Sequence, residues 1–446
     1  MNGKRMLAAA FVPALLATSL PAVSRGEAPY TVAWSRQLGT SSEDRSLSVA
    51  VDGSGSLYMS GYTKGSLSGT NVGGYDAFLT KYDASGNFLW SRQIGTADDD
   101  RSYSVAVDAS GNAYISGYTY GSLAGANAGG DDAFLVKYDA SGNLAWSRQI
   151  GTASWDRSLS VAVDASGNAY ASGYTGSSLG GASAGYWDAF LVKYDSLGNL
   201  LWSRQIGTSE EDRGRCVTVD VSGNAYISGY TDGSLAGASA GGYDAFLVKY
   251  DSLGNLIWSQ QIGTSRTDYG WSVLADASGN AYITGRTYGS LGGANAGDED
   301  TFLVKYDSLG NLLWSRQIGT SGGDGGLSLA LDASGNVYIT GYTDGSLGGS
   351  NAGDMDAFLV KYDSLGNLLW SRQIGTLSTD TSYSVAVDAS GNAYVSGYTD
   401  GSLGGVNAGG YDAFLVKFVV PGPATLSLLA LGGLALIRQR RRRPAR

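Results

Sequence analysis

Trp90-Ser91-Arg92-Gln93-Ile94-Gly95-Thr96 is the stretch that decides the fold, because it keeps returning. Variants of it begin at Trp34, Trp146, Trp202, Trp258, Trp314 and Trp370, each 56 residues from the next, with no insertion or deletion. A fixed period of this size marks one supersecondary unit stacked on copies of itself. Between signatures, residues 46–52, 57–63, 76–83 and 88–94 form short runs rich in Val, Tyr, Phe and Ile. That composition and length predict strands. Gly53-Ser54-Gly55-Ser56 and Ala84-Ser85-Gly86-Asn87 separate them in pairs. An Asp leads into each of these turns, and Gly supplies the positive φ of a tight hairpin. One repeat is therefore two hairpins joined by a longer Gly/Ser/Asn loop such as 119–131.

Four antiparallel strands repeated in an all-β chain predict a β-propeller. The inner strand is expected at 104–108, where small Ser and Ala alternate with Val. The seventh repeat supplies 384–388, 393–399 and 412–418, and then the chain departs before any eighth Trp signature. A spare signature strand, 30–38, sits at the other end. Pairing the two closes a ring and removes two exposed edges at once. The expected fold is all-β: a seven-bladed β-propeller of four-stranded antiparallel blades over residues 30–418, closed by the N-terminal strand.

The 446 residues include 68 Gly and 29 Tyr but only 6 Pro, which suits short strands and tight turns. There is no His, which removes the commonest general base and zinc ligand. The single Cys216 rules out an intramolecular disulfide and stands where other repeats have Ser48, Ser104 and Ser160, so a small buried residue is expected. The net charge of −10 hides a skew. Residues 1–24 carry two basic residues and no acid, residues 424–446 carry six Arg and no acid, and so the remainder carries −18. Such a body disfavours nucleic acid and anionic lipid as partners.

Lys4 and Arg5, an apolar run over 6–20 and Pro21-Ala22-Val23-Ser24 read as a signal peptide, 1–24. Residues 107–119, Val-Asp-Ala-Ser-Gly-Asn-Ala-Tyr-Ile-Ser-Gly-Tyr-Thr, are followed by Asp132-Ala133-Phe134-Leu135-Val136-Lys137-Tyr138. This pattern resembles the SBBP, or seven-bladed β-propeller, repeat of exported bacterial proteins. The resemblance implies the fold and an extracytoplasmic setting, and no single activity. Residues 419–446 are similar to a PEP-CTERM sorting signal: Pro421, Gly422 and Pro423, an apolar run over 424–437, then Arg438, Arg440, Arg441, Arg442 and Arg443. That resemblance implies an exosortase-type processing enzyme, transient membrane anchoring and a Gram-negative host that secretes polysaccharide. Gly422 departs from the Glu usual there, which bears on cleavage more than on anchoring.

Three Asp positions recur in every repeat. Asp44, Asp100, Asp156, Asp212, Asp268, Asp324 and Asp380 enter the inner strand, where they could fix turns or ring the channel mouth as ligands for Ca²⁺. Asp52, Asp108 and their equivalents end that strand and read as turn formers. Asp76, Asp132 and their equivalents each precede a Lys by five residues, which suggests a repeated ion pair between blades. Among irregular residues, Trp155 and Trp187 fall in loops expected on one face, with Tyr75, Tyr243 and Tyr411 at the position of Trp187. These could stack on sugar rings. Trp271, beside the inner strand, is expected in the core.

No catalytic constellation is recognisable: without His, nucleophile–His pairs are impossible, and no carboxylate pair stands out by spacing. The expectation is a monomeric binding or structural module of the cell surface or matrix, with extracellular polysaccharide or a surface protein as partner. A glycan-active enzyme using carboxylates and a protein-binding adhesin are the alternatives.

Overall fold

In a computed structural model, residues 30–419 are described; the expected signal peptide and sorting signal lie outside them. These residues form twenty-eight strands, β1 to β28 in chain order, grouped in seven four-stranded antiparallel sheets. The first blade contains β2 (Asp44–Val51), β3 (Leu57–Thr63), β4 (Asp76–Tyr82) and β5 (Phe88–Ile94), from inside to outside. Residues 100–150, 156–206, 212–262, 268–318 and 324–374 repeat this order as blades two to six. The seventh blade holds β26 (Asp380–Val387), β27 (Ala393–Thr399), β28 (Asp412–Val419) and, as its outer strand, β1 (Thr31–Leu38). Thr31 pairs with Val419 and Leu38 with Ala413, so the N-terminal strand closes the ring as expected.

The core is repeated seven times between adjacent blades. Around the seam of the first two blades, Tyr58, Leu79, Val105, Ile115, Phe134 and Val136 form one cluster. The turn aspartates behave as the sequence suggests. Asp108 Oδ1 accepts from the amides of Ser110 and Asn112, each at 2.9 Å, and Gly111 takes φ +78°. Without a Cβ, Gly adopts that left-handed conformation at no steric cost.

The expected ion pair between blades, from Asp76, Asp132 and their equivalents to the Lys residues, does not form among the described residues. Lys137 Nζ instead stands 4.0 Å from Asp108 of its own blade and donates to Ser196 O of the next, at 3.2 Å. Five residues of strand span about 16 Å, and an odd offset places the two side chains on opposite faces. Asp76 serves another purpose: its Oδ2 accepts from Gln93 Nε2 at 2.8 Å and from the Val72 amide at 3.1 Å.

Each inner strand carries a β-bulge. In β2, Ser46 pairs with Gly61 and Ser48 with Ser60, so Leu47 is left unpaired. The same irregularity falls at positions 103, 159, 215, 271, 327 and 383. A bulge bends the strand and re-aims its extra residue. Here the seven extra residues line one central cavity: Leu47, Tyr103, Leu159, Arg215, Trp271, Leu327 and Tyr383. Trp271 thus faces the channel and is not in the core, and Cys216 is half-buried along the same wall.

The closing blade has no hairpin between β28 and β1, because these are the last and first of the described strands. Elsewhere that hairpin covers the Trp of the preceding blade, as Gly142 covers Trp90. Tyr30 fills the gap, its ring centroid 4.8 Å from that of Trp370 and its hydroxyl 2.8 Å from the Tyr338 hydroxyl and 2.9 Å from Gly391 O. We expect Tyr30→Ala to cost about 3 kcal/mol by urea unfolding, as large aromatic truncations do. Tyr30→Phe should cost about 1 kcal/mol, the worth of its hydrogen bonds. Equal losses in the two variants would refute this account of closure.

Candidate functional site

The loops that enter β2 and β4, and their equivalents, gather on one face, here called upper; Tyr75 OH donates to Glu43 Oε2 at 2.6 Å between two of them. Four successive blades place an Arg there, each lying on aromatic rings of the blade before it. Arg45 lies 4.3 Å from the Tyr398 centroid and 4.6 Å from that of Tyr411, and Arg101 lies 4.9 and 4.2 Å from Tyr62 and Tyr75. Arg213 sits between Tyr174 and Trp187 at 4.8 and 4.6 Å. Arg157 lies 4.3 Å over Tyr118 and pairs with Asp131. Acidic neighbours neutralise the others: Glu43 for Arg45, Asp99 for Arg101 and Glu211 for Arg213.

The structure brings Trp155 and Trp187 together, with ring centroids 5.8 Å apart, and leaves Trp155 51% exposed. Tyr75, Trp187 and Tyr411 are walls of the arginine stacks, while Tyr243 packs against Tyr230 and Tyr269. Each of these rings is therefore already engaged by a neighbour. On the third blade Trp155 and Trp187 are thus adjacent, with Trp155 open to solvent, while on the other blades the aromatic rings pack against arginine or tyrosine neighbours.

A concavity lies elsewhere, over blades five to seven, where the Arg position becomes Tyr269, Gly325 and Thr381. A cleft of about 500 Å³ opens there, lined among others by Tyr288, Asp298, Glu299, Tyr342, Asp344 and Tyr398. Gly325 makes room for it: a Cβ would meet the Tyr342 ring at 2.5 Å. Arg286 Nη1 donates to Tyr342 OH at 2.8 Å and stands 3.3 Å from Glu299 Oε2, so the floor of the cleft is pre-organised. Asp298 and Asp344 are exposed at its edge, and the tyrosines are half-exposed. Tyr383 lines both this cleft and the central cavity, which joins the two. The departures from the repeat at 325 and 381 were the signal in the sequence for this site.

The seven aspartates expected at the channel mouth do not converge. Each is fully buried in the turn that enters its own inner strand. Asp100 Oδ2 accepts from the amide and hydroxyl of Thr96 at 2.5 and 2.9 Å, while its own amide donates to Tyr75 O of the preceding blade at 2.6 Å. Among the described residues no cluster of three acidic side chains could hold a metal ion. Burial lifts the Asp100 carboxyl above the usual range; donors from Thr119 and Thr96 offset this only in part, and the Asp76 carboxylate across the seam adds to the rise. The other six behave alike. The turn aspartate Asp108 is the opposite case: burial would raise it, and the combined donors of Asn112, Ser110 and Tyr114 outweigh that and lower it.

Comparison with known proteins agrees with this architecture. The SBBP β-propeller repeat matches residues 33–67, 89–124, 145–180, 201–236, 257–292, 313–348 and 369–404. An uncharacterised WD repeat-containing protein of Acanthamoeba polyphaga mimivirus is 22% identical over 82% of this chain and 36% of its own length. The regulatory protein FlaEY of Caulobacter vibrioides is 29% identical over 44% of this chain and 22% of its own. The chain thus spans well under half of these curated relatives. Among solved structures, the WD40 β-propeller domain of Doa1 superposes with a TM-score of 0.52 at 11% identity, covering 87% of this chain and 97% of that domain. That likeness is one of fold. Among the described residues no helix is long and apolar enough to cross a membrane.

The buried aspartates give a signed pH dependence. A carboxyl raised on folding holds its proton more tightly in the native state, so its stabilising effect is present below pH ~4 and is lost as pH climbs through the raised value. A lowered one, such as Asp108, contributes above pH ~4 and loses that contribution on acidification. Asp100→Asn is expected to flatten the decline in Tm between acid and neutral pH. Asp108→Asn should instead cost about 1 kcal/mol at pH 7. A Tm–pH curve for Asp100→Asn that parallels the parent's would argue against the buried-acid account.

Proposed function

Since the chain belongs to the SBBP β-propeller repeat family, whose repeats cover more than half of it, we propose that it is an exported binding module whose upper-face cleft takes sugar rings of an extracellular polysaccharide. The observation that carries this reading is the cleft over blades five to seven, where Tyr288, Tyr342 and Tyr398 stand beside Asp298, Asp344 and Glu299. Tyrosine faces stack on the apolar faces of pyranoses, and carboxylates accept from sugar hydroxyls. An acidic body favours a neutral or cationic ligand over a polyanion, which fits a neutral glycan. Ca²⁺ bridging between ligand and Asp298 or Asp344 would be compatible with the same chemistry.

The reading is of a module that binds and does not cleave. Glu299, the buried carboxylate of the cleft, is already engaged by Arg286 and Tyr342, which supports a positioning role for it. Export through residues 1–24 and surface retention through residues 419–446, with an exosortase-type enzyme acting on the latter, belong to the same proposal. A second reading, a surface-protein partner, is favoured by the exposed apolar residues of the outer strands and hairpins, among them Leu197, Leu201, Leu253, Leu309 and Leu313.

Calorimetric titration of the purified protein with the producing organism's exopolysaccharide, with and without Ca²⁺, tests the proposal. Saturable binding is expected, weakened about tenfold by Tyr288→Ala, the loss of one stacking platform. Weakening by Trp155→Ala/Trp187→Ala alone would move the ligand to the third blade. Absence of binding in both conditions would sink the glycan reading and leave the protein-partner one.

A further inference from the structure

The bulge position varies within an otherwise regular stretch of the inner strand. Around the ring it reads Leu47, Tyr103, Leu159, Arg215, Trp271, Leu327 and Tyr383, while its neighbours in the inner strand barely change. Arg215 is the single charge among the seven. Its guanidinium stacks on the adjacent blade's Trp271 with 3.9 Å between its carbon and the ring centroid, and lies 5.5 Å from that of Tyr230. Unlike Arg45, Arg101, Arg157 and Arg213, it has no carboxylate within 4.0 Å among the described residues. Arg215 Nε and Trp271 Nε1 are both buried atoms without an acceptor among those residues.

Two buried N–H donors with no acceptor, side by side on the channel wall, are costly unless something accepts from them. Both side chains line the central cavity, which has a volume of about 150 Å³. Liquid water takes ~30 Å³ per molecule, so the space suits about five waters or one small anion. The wall offers further hydroxyls, those of Ser160, Ser272, Tyr103 and Tyr383. Burial disfavours the Arg215 cation and Arg213 adds to this, while Tyr230 and Tyr174 oppose it, and no carboxylate among the described residues compensates. A site of this make-up attracts a negative ligand even though the body as a whole is acidic.

We propose that Arg215 and Trp271 form an oxyanion-binding site in the central channel, for a carboxylate, phosphate or sulfate group, free or at the end of a longer ligand. The guanidinium supplies the charge and the Nε–H, the indole supplies a second donor, and their stacking holds the two in place. A guanidinium–oxyanion contact is a charge-assisted hydrogen bond of the stronger kind. The site shares only Tyr383 with the upper-face cleft and does not rest on the glycan reading.

The test uses the whole protein and acetate, phosphate and sulfate as probes, each against NaCl at equal ionic strength. Thermal unfolding and calorimetry should show a saturable rise in Tm and one-to-one binding for at least one oxyanion over chloride. Arg215→Leu places at this position the residue that Leu47, Leu159 and Leu327 already carry in other blades, so folding is expected to survive and the anion response to vanish. Trp271→Phe keeps a stacking ring and removes the N–H, and should weaken binding about tenfold. A response in Arg215→Leu equal to the parent's, or a parent that does not distinguish the three oxyanions from chloride, would overturn the proposal. Acetate-only binding would assign the site to carboxylates, and phosphate or sulfate binding to tetrahedral anions.

Discussion

Everything in this molecule depends on the seam between one blade and the next, because seven copies of it must add up to a closed circle. The seam is made by side chains that reach forward to main-chain carbonyls of the following blade's hairpins. Tyr114 OH lies 3.2 Å from Gly167 O, Lys137 Nζ donates to Ser196 O, and Arg148 Nε donates to Gly198 O at 2.6 Å. Carbonyls fix position without depending on the identity of the residue that bears them. A ring whose joints are read by backbone geometry can hold its angle while hairpin sequences drift between Ala-Ser-Gly-Asn and Ser-Leu-Gly-Asn. Beneath these joints, hydroxyls of the inner strands stitch the same seam, as when the Val105 amide donates to Ser48 Oγ at 3.1 Å. Cys216 interrupts that stitching at the one seam where it replaces the Ser: its sulfur stands 3.8 Å from Val273 O and no amide bond of this kind forms there.

The architecture was legible because its causes are local and repeated. The strand runs, the turn Asp and Gly residues and the odd strand at each end are all visible in the chain, and together they leave one closed solution. The site was less legible for two physical reasons. A strand-length argument was needed to separate Asp132 from Lys137, which sit at opposite ends of β8 (Asp132–Tyr138). A bulge, for its part, leaves no Gly or Pro signature here; it appears only as variation, from Leu47 to Arg215 to Trp271, at one column of the repeat. Trp271 consequently read as core by its company in the strand, although the irregularity between Gly270 and Ser272 turns it into the channel.

Symmetry and function pull apart in this fold. Residues that bear on closure, such as Asp108 and Tyr114, recur in all seven blades, whereas Gly325, Thr381, Arg215 and Trp271 do not. Gly325 and Thr381 sit where four other blades place a stacked Arg, and the cleft exists because those stacks are missing. Arg215 and Trp271 are bulged residues, and Gly325 and Thr381 stand at the mouth-side ends of their inner strands, where a side chain can change with little effect on the rest of the sheet. That separation lets the ring tolerate chemistry that would be expensive inside the sheet.

The pairing of Thr31 with Val419 has a mechanical consequence. Because β1 and β28 are antiparallel and their outer termini meet, a load applied between the two ends of the ring pulls across the strands and not along them. The bonds of that pair would then rupture one after another, in the manner of a zipper, instead of sharing the force in shear. A tether at one end only would leave the pair unstrained. The propeller is thus suited to hang from a single attachment and ill suited to serve as a link under tension.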